Sequence, residues 1–263
     1  MKPGPAPSFG VLSRDGATLL RGAIAQTAAI LAAGLLPGAA AAILAYASTG
    51  IDSQSALNAA IHENSRLAIA TVLAAGLFQK ALAALALLAL VPALGERDAG
   101  RSLSTRQAYR LAWRRLPPLL RTLAQALWRV LAGLIPLLLP GLRLALRYSL
   151  AHLAVLLEGL EGRSALERSA ALLERRLWRA IACLAAALLA TMVLNAACAL
   201  AAAAFIAPAR SLLGGGGSAI QGQLEVLAVE LPQGFAAAWL AAFSIRLYRD
   251  LARADPSQAA GRP

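Results

Sequence analysis

The chain has 263 residues, 59% of them hydrophobic, and a formal net charge of +12. That is more apolar than an ordinary soluble domain, in which apolar residues make up about 45–50%. The charge does not point to nucleic acid: the basic residues flank apolar stretches, where they serve as topology signals and headgroup anchors, and no soluble module remains to carry nucleic-acid binding.

From the amino terminus, the first apolar stretch runs from about Thr18 to Ala47, with Pro37-Gly38 marking a kink. It is too long for a signal-peptide core and lacks a cleavage pattern, so the expectation is a retained first span. A polar stretch from Ser48 to Ser65 follows, and a second span from about Leu67 to Leu94 contains Lys80. Gly95 to Arg121 then holds seven arginines. Within it Ser104 to Leu116 reads as a basic amphipathic helix. Tyr109, Ala112, Trp113 and Leu116 fall on one face and Arg106, Arg110 and Arg114 on another, and Pro117-Pro118 is expected to end it.

A third apolar segment, Leu119 to Leu139, contains Arg129 and Pro136. Pro140-Gly141 is expected to turn the chain into a fourth, Leu142 to Leu157, with Arg143, Arg147 and His152. At about 16 residues the fourth segment barely reaches across a bilayer. Either it crosses with help from its neighbours, or segments three and four form a re-entrant hairpin; both return the chain to the same side. Ser164 to Leu177 reads as a second surface helix, with Ser164 and Glu167 as a capping box. Spans from about Leu177 to Ile206 and Ile220 to Leu247 follow, joined through Gly214 to Gly217. A polar tail from Tyr248 to Pro263 is expected to be disordered. The expected fold is therefore an all-α transmembrane bundle of about six apolar segments with two interfacial helices. Leu111, Arg114, Arg115 and Leu116 match Leu172, Arg175, Arg176 and Leu177, either as a true repeat or because both helices draw on Leu, Ala and Arg.

Lysine and arginine alternate by loop. The amino terminus, Gly95 to Arg121, Glu158 to Arg179 and the stretch from Arg246 onward hold nineteen together; the two opposite loops hold Arg66 and Arg210 alone. The asymmetry predicts both termini and both amphipathic helices on the cytoplasmic side of an inner membrane.

Lys80, Arg129, Arg143, Arg147, Glu225 and Glu230 fall within or near apolar segments. Each costs roughly 2.5 to 3.5 kcal/mol at a helix centre, so each needs a partner or water. Lys80 and Glu230 are expected at similar depth, and Arg143 or Arg147 within reach of Glu225 if the fourth segment begins at the outer surface. The charges are read either as structural pairs and snorkelling arginines or as the lining of a polar pathway.

Cys183 and Cys198 share one apolar run, about 22 Å apart on a helix, too far for a disulfide. They read as packing residues. His62 lies beside Glu63 without a ligand cluster, and His152 reads as a polar contact, so no metal site is expected. No GxxxxGK[ST], GxSxG, HExxH or CxxC occurs, and nothing pairs a nucleophile with a base. Neither an enzyme nor a cofactor is expected.

One stretch is more specific. Leu146-Arg147-Tyr148-Ser149-Leu150-Ala151, Leu156-Leu157-Glu158-Gly159, Ala165-Leu166-Glu167-Arg168-Ser169 and Arg176-Leu177-Trp178-Arg179 follow one another in order. Over about Leu142 to Leu184 the chain resembles the bacterial membrane-domain family fused to glycerophosphodiester phosphodiesterases, together with related stand-alone integral membrane proteins. The resemblance implies a membrane module sometimes attached to lipid-metabolic enzymes. The chain shows no phosphodiesterase domain, so that hydrolysis is not carried over. Glu158, with Arg168 or Arg179, is expected to latch the second surface helix. Arg106, Arg110, Arg114, Arg168 and Arg175 are the expected contacts to anionic phospholipid or a partner membrane protein. The alternative is a small transporter with Lys80, Arg129 and Glu230 along its path.

Overall fold

The computed structural model describes residues 8–50, 59–60, 62–63, 65–134, 138–174, 177–212 and 219–253. Among these there is no strand. The helices are α1 (Phe9–Gly22), α2 (Ile24–Thr49), α3 (Arg66–Asp98), α4 (Thr105–Leu134) and α5 (Leu138–Arg147). A single turn, α6 (Ala151–Leu153), passes directly into a π-helical turn (Ala154–Glu158), followed by α7 (Gly162–Glu174), α8 (Leu177–Leu212) and α9 (Ala219–Arg253).

Among the described residues four helices are long and apolar enough to cross a membrane, over Ile24–Thr49, Arg66–Asp98, Trp178–Ala204 and Gln223–Arg253. The segments expected as spans three and four are not among them. Pro117 and Pro118 lie inside α4 and do not end it, so the basic helix and segment three are one rod. The two prolines remove the donors for the carbonyls of Trp113 and Arg114, both on exposed residues that water can reach. Segment four is divided, because the chain leaves helical geometry at Tyr148–Leu150. The turn expected at Pro140-Gly141 is instead the first turn of α5, and Pro136 lies outside the described residues.

Other boundaries move as well. The expected first span is two helices, broken at Ala23, whose N–H bonds the Leu20 carbonyl at 2.9 Å. The carboxyl-terminal helix runs on to Arg253 with Tyr248 and Leu251 buried, so 248–253 is packed helix rather than tail. In α7 the helix begins two residues before Ser164. The Ser164 hydroxyl donates to the Glu161 carbonyl at 2.8 Å, and Glu167 pairs with Arg163 at 2.6 Å, so the capping box expected there does not form. One does form at α4: the Gln107 N–H bonds Ser104 Oγ at 3.3 Å, while Gln107 Oε1 accepts from the Ser104 N–H at 2.9 Å, satisfying two amides at the helix start.

Contacts group the chain into two units. The first comprises Met1–Ile24, Ala89–Ala190 and Ala238–Pro263; the second comprises Ala25–Leu88 and Thr191–Ala237. At the centre of the first unit lie Leu150, Leu153, Val155 and Leu156 with Leu166 and Leu173 of α7. The Ser169 hydroxyl repairs the break before α6 by accepting from the Leu150 N–H at 3.2 Å and donating to the Arg147 carbonyl at 2.7 Å. Gly159, at φ +71°, closes the π turn in a conformation other residues rarely adopt.

The second unit is held by close backbone approach. A Cβ on Gly38 of α2 would sit 2.9 Å from the Gln79 Cα of α3, so any side chain there would force the two helices apart. Gln79 in turn donates to Gln223 of α9 at 3.4 Å in the interior.

Candidate functional site

Helix α4 has six arginines and no acidic residue. Its buried side is small and apolar: Ala108, Ala112 and Leu119, with the hydroxyl of Thr122. That hydroxyl accepts from the Gly162 N–H at 2.9 Å and donates to the Pro118 carbonyl at 2.8 Å, tying the start of α7 to the middle of α4. Arg115 faces inward and donates to the Leu156 carbonyl. Burial lowers its pKa from the ordinary arginine value, with Glu96 opposing the shift. Tyr109 is half-buried, and desolvation pushes its phenol up to about 12.

The opposite side of α4 is uncovered. Arg106, Arg110, Arg114 and Arg121 are exposed along it, and at 1.5 Å per residue the row spans about 22 Å. Trp113 (65% exposed) and Trp128 (74%) stand on the same side with Leu120, Leu127 and Leu131. Trp113 therefore shares the exposed face with the arginines, instead of facing inward with Ala112. Its apolar character does not place it in the core; the small residues at 108 and 112 form the packing seam.

The remaining expected sites separate into paired groups. Arg168 is mostly buried, and its Nε lies 3.3 Å from Glu158 Oε2; this removes it from the exposed row and places it in the latch. Tyr248 of α9 completes that latch by donating to Glu158 Oε1 at 2.7 Å. Arg179 is exposed near the start of α8, and Arg175 lies outside the described residues. Arg147 pairs with Glu174 at 3.3 Å, while Arg143 is exposed on α5 and Arg129 is half-buried on α4. Glu225 is half-buried on α9. Lys80 and Glu230 form an ion pair in the second unit, the carboxylate side chain 12% exposed and the lysine 71%.

A further cluster escaped the sequence reading. Asp98, only 3% exposed, is held by Arg246 at 2.5 Å and by Arg249. Arg249 also donates to the Gly95 carbonyl at 2.6 Å. The available signal was an acid at the end of one apolar run and two arginines three residues apart at the end of another. Among the described residues no group of three or more His, Cys, Asp or Glu side chains is placed to hold a metal ion.

Among the described residues, fold and charge together define an all-helical protein with four helices long and apolar enough to cross a membrane and a basic, aromatic-bearing face on a fifth. No family model, characterised protein or solved structure matches the chain.

Proposed function

We propose that this protein is a non-enzymatic module of the bacterial inner membrane that binds and organises anionic phospholipid through the exposed face of α4. The observation carrying this reading is the row of Arg106, Arg110, Arg114 and Arg121 interleaved with Trp113, Trp128 and three leucines. Arginine and tryptophan on one face suit the headgroup level, where the ring sits among glycerol groups and the guanidinium meets phosphate. Each well-placed basic residue contributes about 1 kcal/mol toward an anionic leaflet, so four provide a substantial preference for charged over zwitterionic lipid.

The nineteen-to-two distribution of basic residues supports cytoplasmic termini and puts α4 on that side. In this reading α4 and α5 lie at the interface as a hairpin, and the membrane is crossed by α2, α3, α8 and α9.

Native mass spectrometry after gentle extraction tests the proposal. The wild-type protein should retain anionic phospholipid, and the variant carrying Arg106→Gln, Arg110→Gln and Arg114→Gln should lose it while melting normally. Equal retention by the two proteins would overturn the reading. The second reading is a small transporter, favoured by the Lys80–Glu230 pair; in that case single neutralisation of either residue should stop flux in proteoliposomes.

A further inference from the structure

Lys80 stands about 21 Å along the axis from the start of α3 and about 27 Å from its end, yet its side chain is 71% exposed. With α3 crossing the membrane, this puts an outward-facing ammonium near the middle of a hydrocarbon core about 30 Å thick. A charge at that depth needs a partner or water. Glu230 of α9 supplies one contact. The exposed residues of α3 around Lys80 include Leu77, Ala81, Ala84 and Leu87, so the face about the ammonium is apolar, and headgroups at either end lie farther away than a lysine stem reaches.

A half-open cleft beside the pair is lined by Ala83 and Leu87 of α3 and by Gln233 and Gly234 of α9. Lipid chains can fill it but offer the ammonium no acceptor. What covers this face must be apolar and must meet a cation and an anion lying side by side. A second copy of the same face does so. Turned about a two-fold axis that runs along the membrane normal between α3 and α9, it brings its Glu230 opposite Lys80 and its Lys80 opposite Glu230, at the same depth. A face of one sign, such as α4 with its six arginines, repels its copy; a face with both signs is self-complementary.

We propose that the protein is a two-fold dimer in the membrane, joined at the Lys80–Glu230 face of α3 and α9. In lipid the ion pair of each copy is incomplete without the other. The inference rests on α3 and α9 crossing the membrane and not on lipid binding by α4, so either can fail alone.

Subunit counting by single-molecule photobleaching in liposomes tests it, together with cysteine cross-linking in native membranes after Cys183 and Cys198 are replaced by Ala. The wild-type protein should bleach in two steps. Ala83→Cys or Gln233→Cys should link two copies on oxidation, whereas Val193→Cys, on the exposed side of α8, should not. The double variant Lys80→Met with Glu230→Met, apolar throughout, should raise the dissociation constant about tenfold, the factor expected for polar contacts between helices in lipid. Lys80→Glu and Glu230→Lys each set like charges opposite one another and should dimerise poorly alone; co-expressed, the two variants should pair with each other. A single bleaching step at every protein-to-lipid ratio, alone or with a different protein bound, would overturn the proposal. So would linkage at position 193 equal to that at position 83, or no recovery on co-expression. Reaction of the Ala83→Cys thiol with a membrane-impermeant maleimide would also overturn it, since water at that depth would serve Lys80 without a second copy.

Discussion

The two units pack their helices by different means. The first carries twenty-two of the 25 basic residues and nine of the 13 acidic ones, a net charge of +13; the second carries a net charge of −1. In the first, polar clasps join the elements: Asp98 with Arg246 and Arg249, Glu158 with Arg168 and Tyr248, Thr122 with Gly162, Ser169 with both ends of a helix break. In the second, backbone approach at Gly38, the buried Gln79–Gln223 amide pair and the Lys80–Glu230 ion pair join the helices. Charged clasps suit a unit rich in both signs of charge, whereas apolar helices with small residues at their contacts rely on close fit.

The comparison breaks first at Asp98. Replacing it with Ala leaves two arginines without their carboxylate and should cost roughly 3–5 kcal/mol, measured as a fall in the melting temperature in detergent. A loss below about 1 kcal/mol would mean that the clasp is solvated and that the first unit is not held by it. In the second unit, Gly38→Ala should cost roughly 1–3 kcal/mol through overpacking against Gln79. Gly10→Ala, with open space around its Cβ, should be neutral or stabilising by up to about 1 kcal/mol. Equal effects at the two glycines would deny that close approach holds the second unit.

Ser169→Ala removes a hydroxyl shared by the Leu150 N–H and the Arg147 carbonyl, and should destabilise by roughly 1–3 kcal/mol. Hydrogen exchange should report the opening at Tyr148–Leu150. The smallest effect is that of pH. His152 has its pKa lowered by burial, partly opposed by the Ser149 backbone. The unfolded chain therefore binds the proton more tightly, and stability should decline as pH falls below about 6.5, the ordinary histidine value. His152→Gln should flatten that acid limb in a melting series; an unchanged limb would assign the decline to other groups.

The long apolar helices were legible because twenty or so apolar residues admit few other readings. The charged half was less so. Pro117 and Pro118 suggested a helix end, yet the helix passes through, because Thr122 and the contacts with α5 and α7 hold both halves of α4 in line. The break at Tyr148–Leu150 has no proline or glycine to announce it, and it depends on Ser169, nineteen residues from Leu150. Lys80 and Glu230 could be matched in depth from the sequence, but their contact required the packing of the second unit. The exposed row on α4 was legible in its arginines and misread in Trp113, since local periodicity cannot tell which of two adjacent faces finds a partner.

The π turn at Ala154–Glu158 makes the latch a question of helical phase. A π turn holds an extra residue compared with an α turn, so the carboxylate of Glu158 arrives beside Arg168 and Tyr248 only because the helix is locally overfull. Deleting one residue of the turn would absorb the surplus and keep the phase, whereas relaxing it to α geometry with every residue kept would swing Glu158 by about 100° around the axis. Every atom of the latch would remain, and it would no longer close.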